Sequence, residues 1–267
     1  MASVDIIVRA KDGKELTSKC LSSLSSTSDE TSVRVILVQS GSDVVPHDAV
    51  DDNVLYFHSK DAVGAVSATN IGLGVSFAYR DSDYVLILDN DTRIPDGDST
   101  WLKRMIGELE KYPGTACVGA TSGFVSPPQH ILAAPETYTA DWGDENRSGV
   151  KDVPPATLFV SFAVLFQKSV LREIGLWDAR YDPGNFEDSD YAIKCRLAGY
   201  ELRVAHSVYI HHEGHQTFGD DMPKLMTENQ QKFAEKWGLG QLWDLGVVPS
   251  KDMAILCGRQ AGIVREE

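Results

Sequence analysis

Tyr84-Val85-Leu86-Ile87-Leu88-Asp89-Asn90-Asp91 is the segment that most strongly indicates the fold class of this chain. Its first half is a continuous apolar run with β-branched Val85 and Ile87, which is typical of a strand buried on both faces. The run then ends in two acids and an amide, which are turn-forming residues. Ligands of α/β sheets bind outside the carboxyl ends of the strands, where these acids lie. The triplet by itself favours a polar turn, and its position at the end of a buried strand makes a metal site an equal alternative to a turn.

Strand and helix patterns alternate on both sides of this stretch. Strands are predicted at 4–8, 33–38, 54–58 and 84–88, and helices at 15–25, 65–79 and 101–112. This alternation predicts an α/β fold with a mostly parallel sheet and right-handed crossovers. The turns at Lys11–Asp12, Gln39–Ser42 and Asp89–Asp91 are then expected along one edge of the sheet.

The pattern is less regular after residue 115. Repeated prolines and a polar run predict a long irregular excursion over 126–155, which is usually functional or mobile in a compact domain. The elements predicted beyond it are strands at 158–166 and 202–205 and helices at 169–174, 189–198 and 224–237.

Composition and charge exclude several functional classes. The 267 residues are 42% hydrophobic and 24% charged, which is ordinary for a globular protein with one sizeable core. A net charge of -14 argues against an extended nucleic-acid surface and against docking on anionic lipid. The longest apolar stretch, 156–166, is too short to span a bilayer, and no signal-peptide pattern precedes it. We therefore expect a cytoplasmic protein, whose widely spaced cysteines are buried free thiols.

A second acidic cluster occupies Asn185 to Tyr191, directly before a helical pattern. Its acids fall near a helix N-terminus, where Asp188 or Ser189 could be the N-cap and the helix dipole favours negative charge. Clustered carboxylates also suit general-base catalysis, because mutual repulsion raises one pKa toward neutrality. Both interpretations stay open on the residues alone.

Histidines are concentrated in one short segment. Four of the seven fall within ten residues, at His206, His211, His212 and His215. This density after a predicted strand favours at least one metal ligand. The segment lacks the spacing of a zinc-protease HExxH motif, and no cysteine lies close enough for a closed zinc site.

Taken in order, these segments resemble family 2 glycosyltransferases of the GT-A fold across roughly residues 3–240. The segments that carry the resemblance are Val4–Val8, Val35–Val38 with Ser40–Ser42, Gly64–Gly72, Leu88–Asp91 with Pro95, Gly175–Asp178, Glu187–Tyr191, Ala198–Tyr200, His211–His212 and Lys236–Gly238. The resemblance implies a Rossmann-like, mostly parallel mixed sheet flanked by helices, with a helical C-terminal tail. It implies a GT-A domain at 1–218, divided into a nucleotide-binding half (1–115) and an acceptor and catalytic half (116–218), and a mainly helical extension at 219–267.

The resemblance also implies a reaction and its residues. The reaction is inverting transfer of a sugar from a nucleotide-diphosphate sugar, with a UDP-sugar favoured, to an acceptor hydroxyl. A divalent cation, Mn²⁺ or Mg²⁺, is implied on Asp89 and Asp91, with His212 favoured over His211 as a further ligand. The general base falls on Asp188, with Glu187 beside it. The implied nucleotide-binding residues are Ala10, Asp12, Gln39, Ser40, Gly64, Asn70, Asp89 and Asn90, and those implied on the sugar and acceptor side are Trp177, Asp178 and Arg9.

Two positions depart from the family pattern. Gln39 stands where many relatives have an Asp that accepts a hydrogen bond from uracil, and an uncharged amide both accepts and donates. Arg9 stands where Pro is common, and it could bind phosphate bidentately or be a solvated strand end.

Two other functions are weighed against glycosyl transfer. A sugar-nucleotide nucleotidyltransferase would need a Gly-rich basic loop, which residues 10–14 provide only poorly. A non-catalytic binding protein on a degenerate fold would not be expected to keep both acidic clusters and the histidines. Neither the acceptor nor the oligomeric state follows from the sequence.

Overall fold

The apolar runs of the sequence form the strands of one large sheet in the computed structural model, which describes residues 2–25, 27, 31–47, 50–51, 53–79, 82–126, 128–131, 158–214 and 221–238. The strands are β1 (Ala2–Lys11), β2 (Thr31–Ser40), β3 (Val54–Ser59), β4 (Tyr84–Asp89), β5 (Thr92–Arg93), β6 (Thr115–Thr121), β7 (Ala163–Gln167), β8 (Glu201–Tyr209) and β9 (His211–His212). Seven of them lie in the order β3-β2-β1-β4-β7-β6-β8, while β5 and β9 form a separate antiparallel pair.

Most neighbouring strands of the large sheet are parallel, as expected. Only β7 runs antiparallel to its two neighbours, β4 and β6. The chain runs outward from β1 to β2 and β3 and then returns to β4 on the other side of β1. The strand order therefore reverses between β1 and β4, and α/β sheets form their ligand crevice at the carboxyl ends of such strands.

Helices cover both faces of the sheet. They are α1 (Lys14–Leu24), α2 (Ala65–Tyr79), α3 (Trp101–Lys111), α4 (Lys168–Ile174), α5 (Glu187–Leu197) and α6 (Met222–Lys236), with a short 3-10 helix at Ala179–Tyr181. Ile7 of β1 packs in the core beneath α2, α4, α5 and α6, whereas Ile6 and Val8 pack in the core beneath α1 and α3. This division follows from the alternation of side chains along a strand.

The structure corrects several boundaries. β6 was not predicted, because Thr115, Gly119 and Thr121 interrupt its apolar pattern although all its residues are buried. The strand expected at 158–166 begins only at Ala163, and α5 begins two residues earlier than expected. The N-cap position of α5 is held by Phe186, at φ 69°, so Asp188 and Ser189 lie inside the helix and the N-cap prediction was wrong.

Parts of the sequence predictions lie outside the described residues. These parts are residues 127 and 132–155 of the predicted excursion, His215 and the tail beyond 238. The two predicted halves share one sheet, since β7 lies between β4 and β6. Cys20, Cys117 and Cys195 are buried free thiols, as expected, and Cys257 lies in the tail that is not described. Within the described ranges, no helix combines the length and apolar character needed to cross a bilayer.

Candidate metal and catalytic site

A cleft of about 660 Å³ opens at the carboxyl ends of β1 and β4. Loops 123–126 and 158–162 and the start of α5 form its walls, and α6 contributes Met222 and Met226. The cleft therefore lies where the strand order predicts a ligand site. The sequence-predicted site residues that line it are Arg9, Ala10, Gly64, Asp89, Asn90, Asp91, Glu187, Asp188 and His212.

Three of these residues form a candidate metal site. Asp89 ends β4, Asp91 lies in the turn that follows, and His212 is brought to them by the pairing of β9 with β5. Each offers one ligand atom, and the three atoms lie within 4.8 Å of one another. Two carboxylate oxygens and one imidazole nitrogen suit Mn²⁺ or Mg²⁺ with open positions for substrate phosphates.

Asn90, between the two acids, has a different role. Its side-chain amide donates to Thr17 Oγ1 at 2.8 Å, and its backbone N–H donates to Arg9 O at 3.1 Å. Asn90 thereby ties the end of β4 to α1 and β1. The turn can then present both flanking carboxylates on the cleft side.

The His212 ring is fixed by its second nitrogen. Its Nδ1 lies 3.0 Å from the carbonyl oxygen of Phe124, which can only accept, so Nδ1 donates. Nε2 then faces Asp91 Oδ1 at 3.2 Å. Burial lowers the pKa of His212, but the Asp91 hydrogen bond and the charges of Asp91 and Asp89 outweigh burial and leave the pKa raised. Metal-ligating histidines adopt this arrangement, in which the outer nitrogen is held by a carbonyl oxygen.

His211 lies next to His212 but is not part of this group. Successive side chains of a strand point to opposite sides, and His211 Nε2 lies 3.1 Å from Glu213 Oε1. The group of potential ligands among the described residues contains His212 alone of the two.

Arg9 links the candidate metal site to Ser161. Arg9 is 5% exposed, so the solvated strand end that was considered for it is wrong. Nε donates to Asp89 Oδ1 at 3.0 Å, and Nη2 donates to Ser161 O at 2.9 Å. Burial raises the pKa of Asp89 against the opposing charge of Arg9. Arg9 thus orients the Asp89 carboxyl group and offsets its negative charge.

Glu187 lies at the other end of this connection. Ser161 Oγ donates to Glu187 Oε1 at 3.3 Å, and Oε2 is buried without a hydrogen-bond partner among the described residues. Burial, and next the charge of Asp188, raise the pKa of Glu187 to about 8. Glu187 is therefore mainly protonated at neutral pH and adds little negative charge to the cleft.

Asp188 differs from Glu187 in its exposure to the cleft. It is half-buried in the first turn of α5, where its Oδ1 accepts from Ser189 N at 2.6 Å and from Ser189 Oγ at 3.1 Å. The start of a helix favours a negatively charged side chain. The cleft therefore presents one carboxyl group that is mainly protonated and a second that is half-buried at a helix N-terminus.

Four residues predicted to bind the nucleotide hold loops together in the structure, and none of them lines the cleft. Asp12 Oδ1 accepts from Ser42 N at 2.8 Å and from Asp43 N at 2.9 Å, and backbone bonds from Asp43 and Ser42 lower its pKa. Gln39 accepts from Val45 N, Ser40 donates to Val63 O, and Asn70 exchanges two 2.9 Å bonds with the Trp177 backbone.

Trp177 and Asp178, expected on the sugar and acceptor side, also lie outside the cleft lining. Trp177 is 2% exposed and stacks on Tyr191 at 4.9 Å between ring centroids. Asp178 pairs with Lys236 at 2.7 Å. Burial tends to raise the pKa of Asp178, but hydrogen bonds from Lys236 and Arg180 prevail and lower it to about 2.

The sequence reasoning missed Asp182, which caps α2 from a distant part of the chain. Its Oδ1 accepts from Val66 N and Ser67 N, both at 3.1 Å, across about a hundred residues of sequence, and its Oδ2 accepts from Ser67 Oγ. A side chain at Gly64 would collide with this carboxylate, so glycine is required there. The Asp182-Pro183-Gly184 sequence indicates a turn, but nothing local indicates the helix that it caps.

Comparison with known proteins gives a family and a fold. The chain is similar to GalNAc-T7, solved with UDP, GalNAc and Mn²⁺, at TM-score 0.58 and 12% identity over 98% of this chain and 55% of that chain. It is also similar to S. aureus TarS 1-349, at TM-score 0.56 and 14% identity over 88% of this chain and 66% of that chain. This chain thus spans about half the length of the GalNAc-T7 chain, and identities this low show the fold alone.

These likenesses confirm the expected GT-A-type α/β fold. No match is found among curated proteins. Residues 5–175 match the family model described as Glycosyl transferase family 2. Because that match covers more than half of the 267 residues, this chain belongs to glycosyl transferase family 2.

Proposed function

We propose that this protein transfers a sugar, with inversion at the anomeric carbon, from a nucleotide-diphosphate sugar to an acceptor hydroxyl. A UDP-sugar is the favoured donor, and the UDP and Mn²⁺ in the GalNAc-T7 structure support that choice. The observation that carries the proposal is that one cleft contains both the Asp89–Asp91–His212 group and the carboxyl groups of Glu187 and Asp188.

The Asp89–Asp91–His212 group fits a divalent cation by its chemistry. It combines two hard oxygen ligands with an imidazole nitrogen whose outer nitrogen is already bound to the Phe124 carbonyl. We assign Mn²⁺ or Mg²⁺ to these three side chains. A cation bound there supplies positive charge against the negative charge that develops on the departing nucleoside diphosphate.

The protein's own side chains perform the remaining tasks. Asp188 accepts the proton of the acceptor hydroxyl, whose oxygen attacks the anomeric carbon opposite the diphosphate, so a single displacement inverts the configuration. Arg9 holds Asp89 in place through the 3.0 Å bond from Nε. Glu187, which is mainly protonated at neutral pH, adds little negative charge near the diphosphate.

The first test is a donor screen. The purified chain is incubated with UDP-, GDP- and dTDP-sugars, with and without Mn²⁺, and release of the nucleoside diphosphate is measured. We expect release from one nucleotide class, dependent on metal. No release from any donor under any metal condition would refute the proposal.

The general base is tested with Asp188→Asn. We expect donor and Mn²⁺ affinity to be kept and transfer to fall by about 10²–10⁴-fold, the contribution typical of a positioned base. Glu228→Gln, an exposed acid on α6, is the matched control and should transfer sugar at the rate of the unmodified protein. Undiminished turnover by Asp188→Asn would rule out Asp188 as the base.

A further inference from the structure

We propose that Asn229 of α6 is a positioning residue for Glu187 and Asp188. It holds the segment Tyr181–Phe186, which leads directly into the first turn of α5. The inference rests on the proposed function, because that function makes Asp188 the group whose position matters.

The Asn229 amide is fully buried and meets three backbone carbonyls of this segment. Its Nδ2 lies 2.8 Å from Tyr181 O, 2.7 Å from Gly184 O and 3.2 Å from Asn185 O. Lys232 Nζ lies 2.8 Å from Asn229 Oδ1, which fixes the direction of the amide, because an ammonium can only donate. Both the oxygen and the nitrogen of the Asn229 amide thus have hydrogen-bond partners, and the nitrogen faces the segment.

The backbone of the segment needs such support. Asn185 and Phe186 adopt φ 72° and 69°, in the left-handed region that bulky residues such as Phe rarely occupy. Conformations of this kind persist only where the surroundings hold them, and they cluster at functional sites. Because the two residues lie directly before Glu187, a relaxation of their backbone would redirect the start of α5.

Further contacts attach α6 to both sides of the segment. Lys236 Nζ lies 2.7 Å from Asp178 Oδ2 and 2.6 Å from Asp190 Oδ1. Trp237 Nε1 donates to the same Asp190 oxygen at 3.1 Å. Asp190 is three residues beyond Glu187 on α5. The contacts of α6 therefore hold the chain both before Glu187 and after Asp188. The candidate metal ligands, in contrast, stand on β4, the turn that follows it and β9.

Because the candidate metal ligands and the two carboxyl groups stand on different elements, a change at Asn229 should affect turnover more than donor and metal affinity. Loss of the three carbonyl contacts should let the start of α5 shift while β4 and β9 keep the candidate metal ligands in place. A catalytic group displaced by about 1 Å can cost about 10²-fold in rate. Turnover should therefore fall, and donor and metal affinity should not.

The experiment compares two variants of the full chain. Asn229→Ala removes the amide, and Asn229→Asp is isosteric but presents an acceptor to the three carbonyls. We expect kcat of transfer to fall by about 10–100-fold in both, with KM for the donor and the affinity for Mn²⁺ within about three-fold of the unmodified protein. Gln231→Ala changes an exposed residue of the same helix and is expected to leave kcat unchanged.

Thermal unfolding of each variant separates positioning from loss of fold, and kcat is measured well below the lowest Tm. Unchanged kcat in both variants would overturn the inference, as would a fall in kcat matched by equal losses of donor and Mn²⁺ affinity. If the unmodified protein is inactive with every donor, the proposed function fails and the inference with it. An active unmodified protein with unaffected Asn229 variants refutes the inference alone.

Discussion

Adjacent residues in this chain have different chemistry because their neighbours differ. His211 and His212 are consecutive on β9, yet one faces Glu213 and the other faces Asp91 and Phe124. Glu187 and Asp188 are consecutive on α5, yet one carboxyl group is buried and the other is half-buried at the cleft. In each pair, residue type alone does not distinguish the two members.

The histidine pair gives a prediction with its own control. Loss of the imidazole in His212→Ala should weaken Mn²⁺ binding by at least about ten-fold, since even loss of a partner that orients a ligand has an effect of this size. His211→Ala should leave Mn²⁺ binding unchanged. The measurement is activity against Mn²⁺ concentration for both variants, and equal effects would contradict the assignment of His212.

The buried Glu187 gives a prediction about pH. Its pKa is raised from 4.5 to about 8 on folding, chiefly by burial. Between these two values the unfolded state ionises while the folded state stays protonated, so this group's contribution to stability is lost as pH rises. The Glu187→Gln variant has no carboxyl group at this position, so its stability should not fall with pH for this reason.

The expected outcome is a Tm advantage of Glu187→Gln over the unmodified protein that grows from pH 5 to pH 8, about the interval between the two pKa values. Thermal unfolding of the metal-free proteins at several pH values measures it. A Tm difference that stays constant over this range would contradict the raised pKa.

At the scale of elements, the start of α2 depends on a residue that follows it by about a hundred positions. The first turn of a helix leaves backbone N–H groups without partners, and Asp182 accepts from two of them. The same carboxylate bonds Ser67 Oγ, and Ala65 N donates to Pro183 O at 2.8 Å. The cap thereby joins α2 to the segment that leads into α5, the helix of the proposed base.

Removing this cap should have a measurable cost. Asp182→Ala is expected to lower the free energy of unfolding by about 1–2 kcal/mol, the upper part of the range for lost caps, because three contacts are lost together. Asp221→Ala is the control, since Asp221 holds the N-cap position of α6 without a side-chain cap bond. Denaturant unfolding of both variants gives the comparison, and equal stabilities would refute the capping role.

At the scale of the whole molecule, the sheet order places the site. β1 and β4 are separated by more than seventy residues but lie side by side in register, Arg9 opposite Asp89. The turn after β4 carries β5, whose pairing with β9 brings His212 opposite Thr92. Candidate ligands from distant segments therefore meet where the strand order reverses between β1 and β4.

The α/β class, the parallel central strands and the acidic strand end could be predicted from the sequence, because these features follow local residue patterns. The sequence also has the order of segments that resembles family 2 glycosyltransferases. Patterns of this kind do not specify β6, whose buried residues are small and interrupted by glycine and threonine. They also placed the start of α5 two residues too late, because Phe186 in the left-handed region is not a typical N-cap.

Which of the predicted residues face the cleft could not be predicted from the sequence and is seen in the folded chain. Arg9 is a buried hydrogen-bond partner of Asp89, and Trp177 is part of the core. Asn70 hydrogen-bonds to the backbone of Trp177. The carboxyl group of Asp182 and the amide of Asn229 acquired their roles through contacts between segments far apart in the chain. Hydrophobic periodicity fixes which elements form, whereas hydrogen bonds, burial and charge pairs between elements depend on how those elements pack.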